Sequence, residues 1–141
     1  MVRSKRIQPV TKLAGQAERK AAMELANTRF HLNDLRNKLD IMKTYRKEYE
    51  RKAGETGMNV KVRDLQHNQV FLQQLDEAIA ILEKQVQRQR EITLQDQKKW
   101  VATWKHMNSL NKAMHNFRTR ENLEKERREQ HTLDEHVLKS R

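Results

Sequence analysis

No cysteine occurs in the 141 residues, which excludes disulfides and thiolate metal ligands and fits a reducing compartment. Proline appears once and glycine three times, too little turn chemistry for a loop-rich fold. Aromatic residues make up 5% of the chain and apolar residues 35%, so burial has to come from a narrow seam rather than a globular core. No run of about 18 apolar residues exists. Met1-Val2-Arg3-Ser4-Lys5-Arg6 carries no apolar segment after its charges, and the expectation is a soluble, cytoplasmic protein without direct membrane insertion.

Charge is plentiful: 35% of the residues are charged and the net charge is +11. Such a composition matches a long helical or coiled-coil protein and attracts acidic partners. Residues 1 to 20 hold six bases against one acid, and the last 46 hold eleven against seven. The positive excess therefore sits toward the two ends of the chain.

Apolar and small residues at Ile7, Val10, Ala14, Ala17, Ala21, Leu25, Thr28, Leu32, Leu35, Leu39, Met42 and Tyr49 follow steps of three and four, a heptad seam. A second seam runs through Leu65, Leu72, Leu75, Ile79, Leu82, Val86, Thr93, Trp100, Trp104 and Met107. Between them Gly54-Glu55-Thr56-Gly57 is the one place to turn. In a hairpin folded at Gly57, facing residues have numbers that sum to 114, which sets Leu39 against Leu75, Ala14 against Trp100 and Val10 against Trp104. Both seams then change phase at one height, at Ala17, Ala21 and Leu25 and at Gln89, Thr93 and Gln97, as a paired stutter requires.

The fold class predicted is all-α: an elongated two-helix antiparallel coiled-coil hairpin, the second helix longer than the first. It forms one domain, 1–141, with a helix over 8–53, a turn over 54–59 and a helix over 60–137. Pro9 is placed in the first helical turn, where its missing N–H costs nothing. Gly15 is explained by close approach to Trp100. Asn59 or Asp64 caps the second helix. Pairing runs out near Met107, leaving about 30 residues of polar helix that need a partner to hold them.

Nothing in the pattern supplies catalysis. The histidines (His31, His67, His106, His115, His131 and His136) do not pair at the spacing of two ligands on one helix face, and no phosphate loop surrounds Gly54 and Gly57. The expectation is a non-enzyme without cofactor, metal or small-molecule substrate. Above background stands an apolar group near the turn, Tyr45, Tyr49, Phe71, Leu75 and Ala78, too crowded for a two-helix seam to cover. An exposed aromatic patch of this kind marks a docking site.

The same residues carry a family resemblance. The run Tyr45-Arg46-Lys47-Glu48-Tyr49, a glycine-containing turn, Phe71-Leu72-Gln73-Gln74-Leu75-Asp76-Glu77-Ala78-Ile79, an isolated Trp100 and Leu133-Asp134-Glu135 resemble the flagellar export protein FliJ over essentially the whole chain. The resemblance implies a cytoplasmic part of the flagellar type III export apparatus, peripheral at the inner membrane. Its coiled coil would enter the hexameric ring of the export ATPase FliI as the gamma stalk enters rotary F-type ATPases. It would also promote ring assembly, contact the export-gate protein FlhA and escort export chaperones. The gate contact carries over to Tyr45, Tyr49, Phe71, Leu75 and Ala78. The ring end is expected, on its positive charge, at the basic residues Arg3, Lys5, Arg6 and Lys12. Two alternatives stay open: the stalk of a virulence-type secretion system, and a basic coiled coil that binds RNA or the ribosome. Against the second, bases and acids are interleaved along most of the chain and no stacking aromatics accompany the basic ends, so nucleic acid is the less favoured partner.

Overall fold

The structure, a computed structural model, describes residues 2–55 and 62–140. Two α-helices, α1 (Val2–Glu55) and α2 (Val62–Lys139), pack against each other in antiparallel sense, and α2 is the longer. The chain is thus an all-α two-helix hairpin. Gly54 and Glu55 are helical; the turn residues Thr56 and Gly57 and the cap position Asn59 lie outside the described residues. Asp64 falls in the first turn of α2, where a carboxylate complements the helix dipole.

Contacts group the chain into two units, one made of Met1–Met23 with Lys98–Arg141 and the other of Glu24–Gln97. In the Glu24–Gln97 unit the core is a buried cluster of Leu32, Leu39 and Val86, against which Leu35, Ile79 and Leu82 pack. A polar layer adjoins it. The Thr28 carbonyl accepts from Gln89 Nε2 at 3.3 Å and Thr93 Oγ1 at 3.4 Å, and the Thr93 hydroxyl also reaches its own helix at the Gln89 carbonyl, 2.8 Å away. A buried threonine is tolerable there because its polar atom is satisfied.

In the unit of Met1–Met23 and Lys98–Arg141, Ala14 and Ala21 are buried. Trp100 donates its indole N–H to Glu18 Oε1 at 3.0 Å, at a level of α1 where thin residues lie one turn either side. Thr11 is buried as well, its hydroxyl directed to the Ile7 carbonyl at 2.7 Å and Met114 Sδ at 3.6 Å. The Ser4 amide and hydroxyl both donate to the Glu121 carboxylate, at 3.2 and 2.7 Å.

Several expectations are corrected. α1 begins at Val2 and contains Pro9, so the proline does not mark a helix start. An interior proline removes one helical hydrogen bond, and the packing of Ser4, Ile7 and Thr11 on α2 carries the helix through it.

The register also differs. Cross-helix pairs, from Tyr45 with Phe71 to Lys43 with Glu83, sum to between 116 and 126 rather than 114, so partners lie from about half a turn to about three turns further along α2. Leu65, Val10 and Trp104, all assigned to the seam, are exposed.

The shielded positions of α1 run Ser4, Ile7, Thr11, Ala14, Glu18, Ala21, Leu25, Thr28, Leu32, in unbroken steps of three and four. Those of α2 do the same through Gln89, Thr93, Asp96, Trp100, Thr103, Met107, Leu110, Met114, Phe117 and Glu121. The expected phase change is absent. It arose from passing over Thr11 and Glu18, polar residues that hold seam positions because Ile7 and Trp100 satisfy them.

A Cβ built on Gly15 meets nothing within 4 Å, so close approach does not explain this glycine. Pairing also continues past Met107 to Glu121, and the fully exposed segment of α2 is only 122–140. That segment is held by local terms, such as the ion pair Glu124–Arg128 at 3.9 Å, worth a few tenths of a kcal/mol, and the approach of His131 Nδ1 to Glu135 Oε1 at 3.5 Å.

Candidate functional sites

Two surfaces stand out, one in each unit. In Glu24–Gln97, the heptads place Tyr45 and Phe71 on the same flank of their helices, next to the seam. Their rings meet edge-on at 6.4 Å and 77°, and Tyr49 closes on Phe71 from the seam side at 4.7 Å and 53°. Offset and edge-to-face geometry of this kind adds about 0.5–1.5 kcal/mol to burial alone. The Tyr49 hydroxyl donates to Asn68 Oδ1 at 2.6 Å, which fixes the ring that Phe71 leans on.

Tyr45 remains 49% exposed, while Phe71 and Ala78 are half-buried. Leu75 is only 8% exposed and is a core position rather than a surface one. Of the five predicted residues the structure brings Tyr45, Tyr49 and Phe71 into ring contact; Leu75 and Ala78 follow about one and two turns further along α2. The sum of 114 sets Tyr45 level with Gln69; its edge-on contact is instead with Phe71.

Beside the rings lies a charged network that the sequence reading missed. The Arg46 guanidinium bonds Asp76 through Nε and, at 3.4 Å, through Nη2, while Nη1 reaches Glu50 Oε2 at 2.8 Å. Asp76, foremost through its hydrogen bond, raises the Arg46 pKa above its ordinary value. The signal was present: Arg46 lies four residues before Glu50 and continues the α1 seam past Met42.

The second surface is electrostatic. By sequence, the unit of Met1–Met23 and Lys98–Arg141 holds 17 bases against 7 acids, a net of +10, while Glu24–Gln97 holds 13 against 12, a net of +1. Nearly the whole excess of the chain belongs to one unit. Arg3, Lys5, Arg6 and Lys12 are all exposed in it. Among the described residues, no group of three or more His, Asp or Glu side chains is placed to hold a metal ion, and no helix is long and apolar enough to cross a membrane.

A family model described as flagellar FliJ protein matches residues 4–140. The chain belongs to the FliJ family. No curated protein and no solved structure matches it. FliJ proteins are non-catalytic components of flagellar protein export, and this member meets that role with a two-helix hairpin whose two units differ in charge by nine.

Proposed function

We propose that this FliJ family member is the stalk of the flagellar export ATPase and links the ring to the export gate at the cytoplasmic face of the inner membrane. The charge division carries the reading. A unit of net +10 is suited to an acidic ring lumen, where attraction guides entry and centres a thin helical pair. Arg3, Lys5, Arg6 and Lys12 are the ring-facing residues, and FliI is the ring.

The near-neutral unit presents the Tyr45–Phe71 cluster, whose aromatic anchors concentrate binding energy. FlhA is its partner. Export chaperones are escorted by the same molecule, with the exposed α2 segment 122–140 as the surface they use. Coupling is mechanical and electrostatic: the state of the ring is felt by the basic unit and delivered to the gate through the aromatic one.

Replacing Tyr45 and Phe71 by alanine is expected to weaken FlhA binding at least tenfold and leave FliI hexamer formation unchanged. Charge reversal at Arg3, Lys5, Arg6 and Lys12 gives the opposite pattern. Equal loss at both partners from either variant overturns the division of labour.

A further inference from the structure

In the unit of Met1–Met23 and Lys98–Arg141 a cleft of about 350 Å³ lies between the two helices, beside the Ser4–Glu121 hydrogen bonds. Ser4, Lys5 and Gln8 line it from α1, and Arg118, Glu121 and Asn122 from α2. Heptad spacing builds it. Lys5 and Gln8 each follow a shielded residue of α1, Ser4 and Ile7, while Arg118 and Asn122 each follow one of α2, Phe117 and Glu121. In an antiparallel pair such positions share one flank. Lys43 and Glu83 stand in the same relation to Met42 and Leu82, and they meet at 3.5 Å.

There the flank sets a lysine against an acid; around this cleft it sets Lys5 and Arg118, two like charges. Both are exposed, and among the described residues neither side chain makes an ion pair or hydrogen bond. No acid precedes Glu18 on α1, so Lys5 has none within three turns of its own helix. Arg118 has one, Glu121, three residues on. Both oxygens of that carboxylate already accept from Ser4. The side-chain amides of Gln8 and Asn122 likewise bond nothing among the described residues.

We propose that this cleft receives a single carboxylate from an acidic segment of a partner protein, held by Lys5, the Arg118 guanidinium and the amide donors of Gln8 and Asn122. A guanidinium presents paired N–H groups that match the two oxygens of a carboxylate, and the lysine adds a point charge from the facing helix. The lining favours protein over nucleic acid or lipid. It contains no aromatic or apolar side chain, so a base has nothing to stack on and an acyl chain nothing to lie against. Two bases and one acid also leave the cleft a local excess of one positive charge, which suits one monovalent anion better than a run of phosphates. The proposal rests on the ring-facing reading of Lys5 for the identity of the partner, and it adds Arg118, Gln8 and Asn122 to that surface.

The test uses the full chain, labelled with nitrogen-15, and follows the arginine Nε–H and side-chain amide signals, assigned by Arg118→Lys, Gln8→Ala and Asn122→Ala. A blocked tetraglutamate peptide is titrated in about 0.15 M salt, where exposed charges are screened beyond about 8 Å. Arg118, Gln8 and Asn122 are expected to shift on one curve. They half-saturate at roughly tenfold lower peptide than Arg6 and Arg120, the advantage of about one charge-assisted hydrogen bond; those two arginines belong to the same unit but do not line the cleft. Lys5→Gln removes one cation from an exposed position that bonds nothing, and is expected to move the Arg118 curve onto that of Arg6. An Arg118 curve that coincides with Arg6 and Arg120 in the unaltered chain overturns the proposal, as does one that Lys5→Gln leaves unchanged. Tighter saturation by a six-nucleotide single-stranded DNA also overturns it, since the cleft would then be a phosphate site. No ATPase enters the titration, so its result stands or falls apart from the ring reading.

Discussion

Ser4 and Glu121 are 117 residues apart and form the end clamp of their unit, the serine giving both its amide and its hydroxyl hydrogen to the glutamate. α1 has no acidic residue in its first turn, where four amides lack helical partners and the dipole favours negative charge. Arg3, Lys5 and Arg6 make the local field worse. Glu121 supplies from α2 the carboxylate that α1 lacks.

This clamp has a pH signature. Hydrogen bonds from the α-amino group and from Ser4 hold the Glu121 carboxyl down from 4.5 to about 2. A carboxyl favoured in its charged form stabilises the fold above its unfolded value, and that contribution fades as pH falls from 4.5 toward 2. A carbon-13 titration of Glu121 is expected to show the low midpoint, and Ser4→Ala to move it upward. A midpoint near 4.5 in the unaltered chain rules the clamp out.

Gly15 sits inside α1 with open space where a Cβ would go. Gly15→Ala is therefore expected to stabilise the hairpin by about 1 kcal/mol through helix propensity, or roughly 3–4 °C in melting temperature. Had the glycine been needed for close packing, the same change would lower the melting point.

Pro9 is the other local weakness. Pro9→Ala restores an amide donor toward the Lys5 carbonyl and is expected to add about 1–3 kcal/mol to local helix stability. Amide exchange over residues 3–9 reads it directly: slower exchange is the expected result, and unchanged rates would mean the first turns are held by α2 alone.

The Leu32, Leu39 and Val86 cluster is the main apolar core of its unit. Leu39→Ala is expected to cost about 2–4 kcal/mol, a large share of the stability of any small domain. Urea unfolding followed by circular dichroism measures it. A loss under 1 kcal/mol would show that Leu39 is not a core residue.

Much of this could be read from the sequence. Leu25, Leu32, Leu35, Leu39, Ile79, Leu82 and Val86 announce two amphipathic helices through spacing alone, and the scarcity of glycine and proline leaves them one way to pair. The register was not legible, because the seam was traced through apolar residues only. Thr11, Glu18, Arg46 and Asn68 hold seam or near-seam positions by virtue of partners on the facing helix or one turn back on their own, and such partners are visible only once the chains are aligned. The aromatic cluster was legible as a set of residues. That Phe71 meets both tyrosines was not, because ring contact depends on the flank each side chain occupies rather than on its height along the helix.

Trp100 and Trp104 lie one turn apart yet differ in environment: the first gives its indole hydrogen to Glu18, and the second is 43% exposed. A molecule with two indoles so unequally screened reports its own occupancy. Iodide reaches Trp104 more readily than the half-buried Trp100, so a partner that encloses this unit removes the more accessible fraction of quenching while the less accessible emission serves as an internal reference.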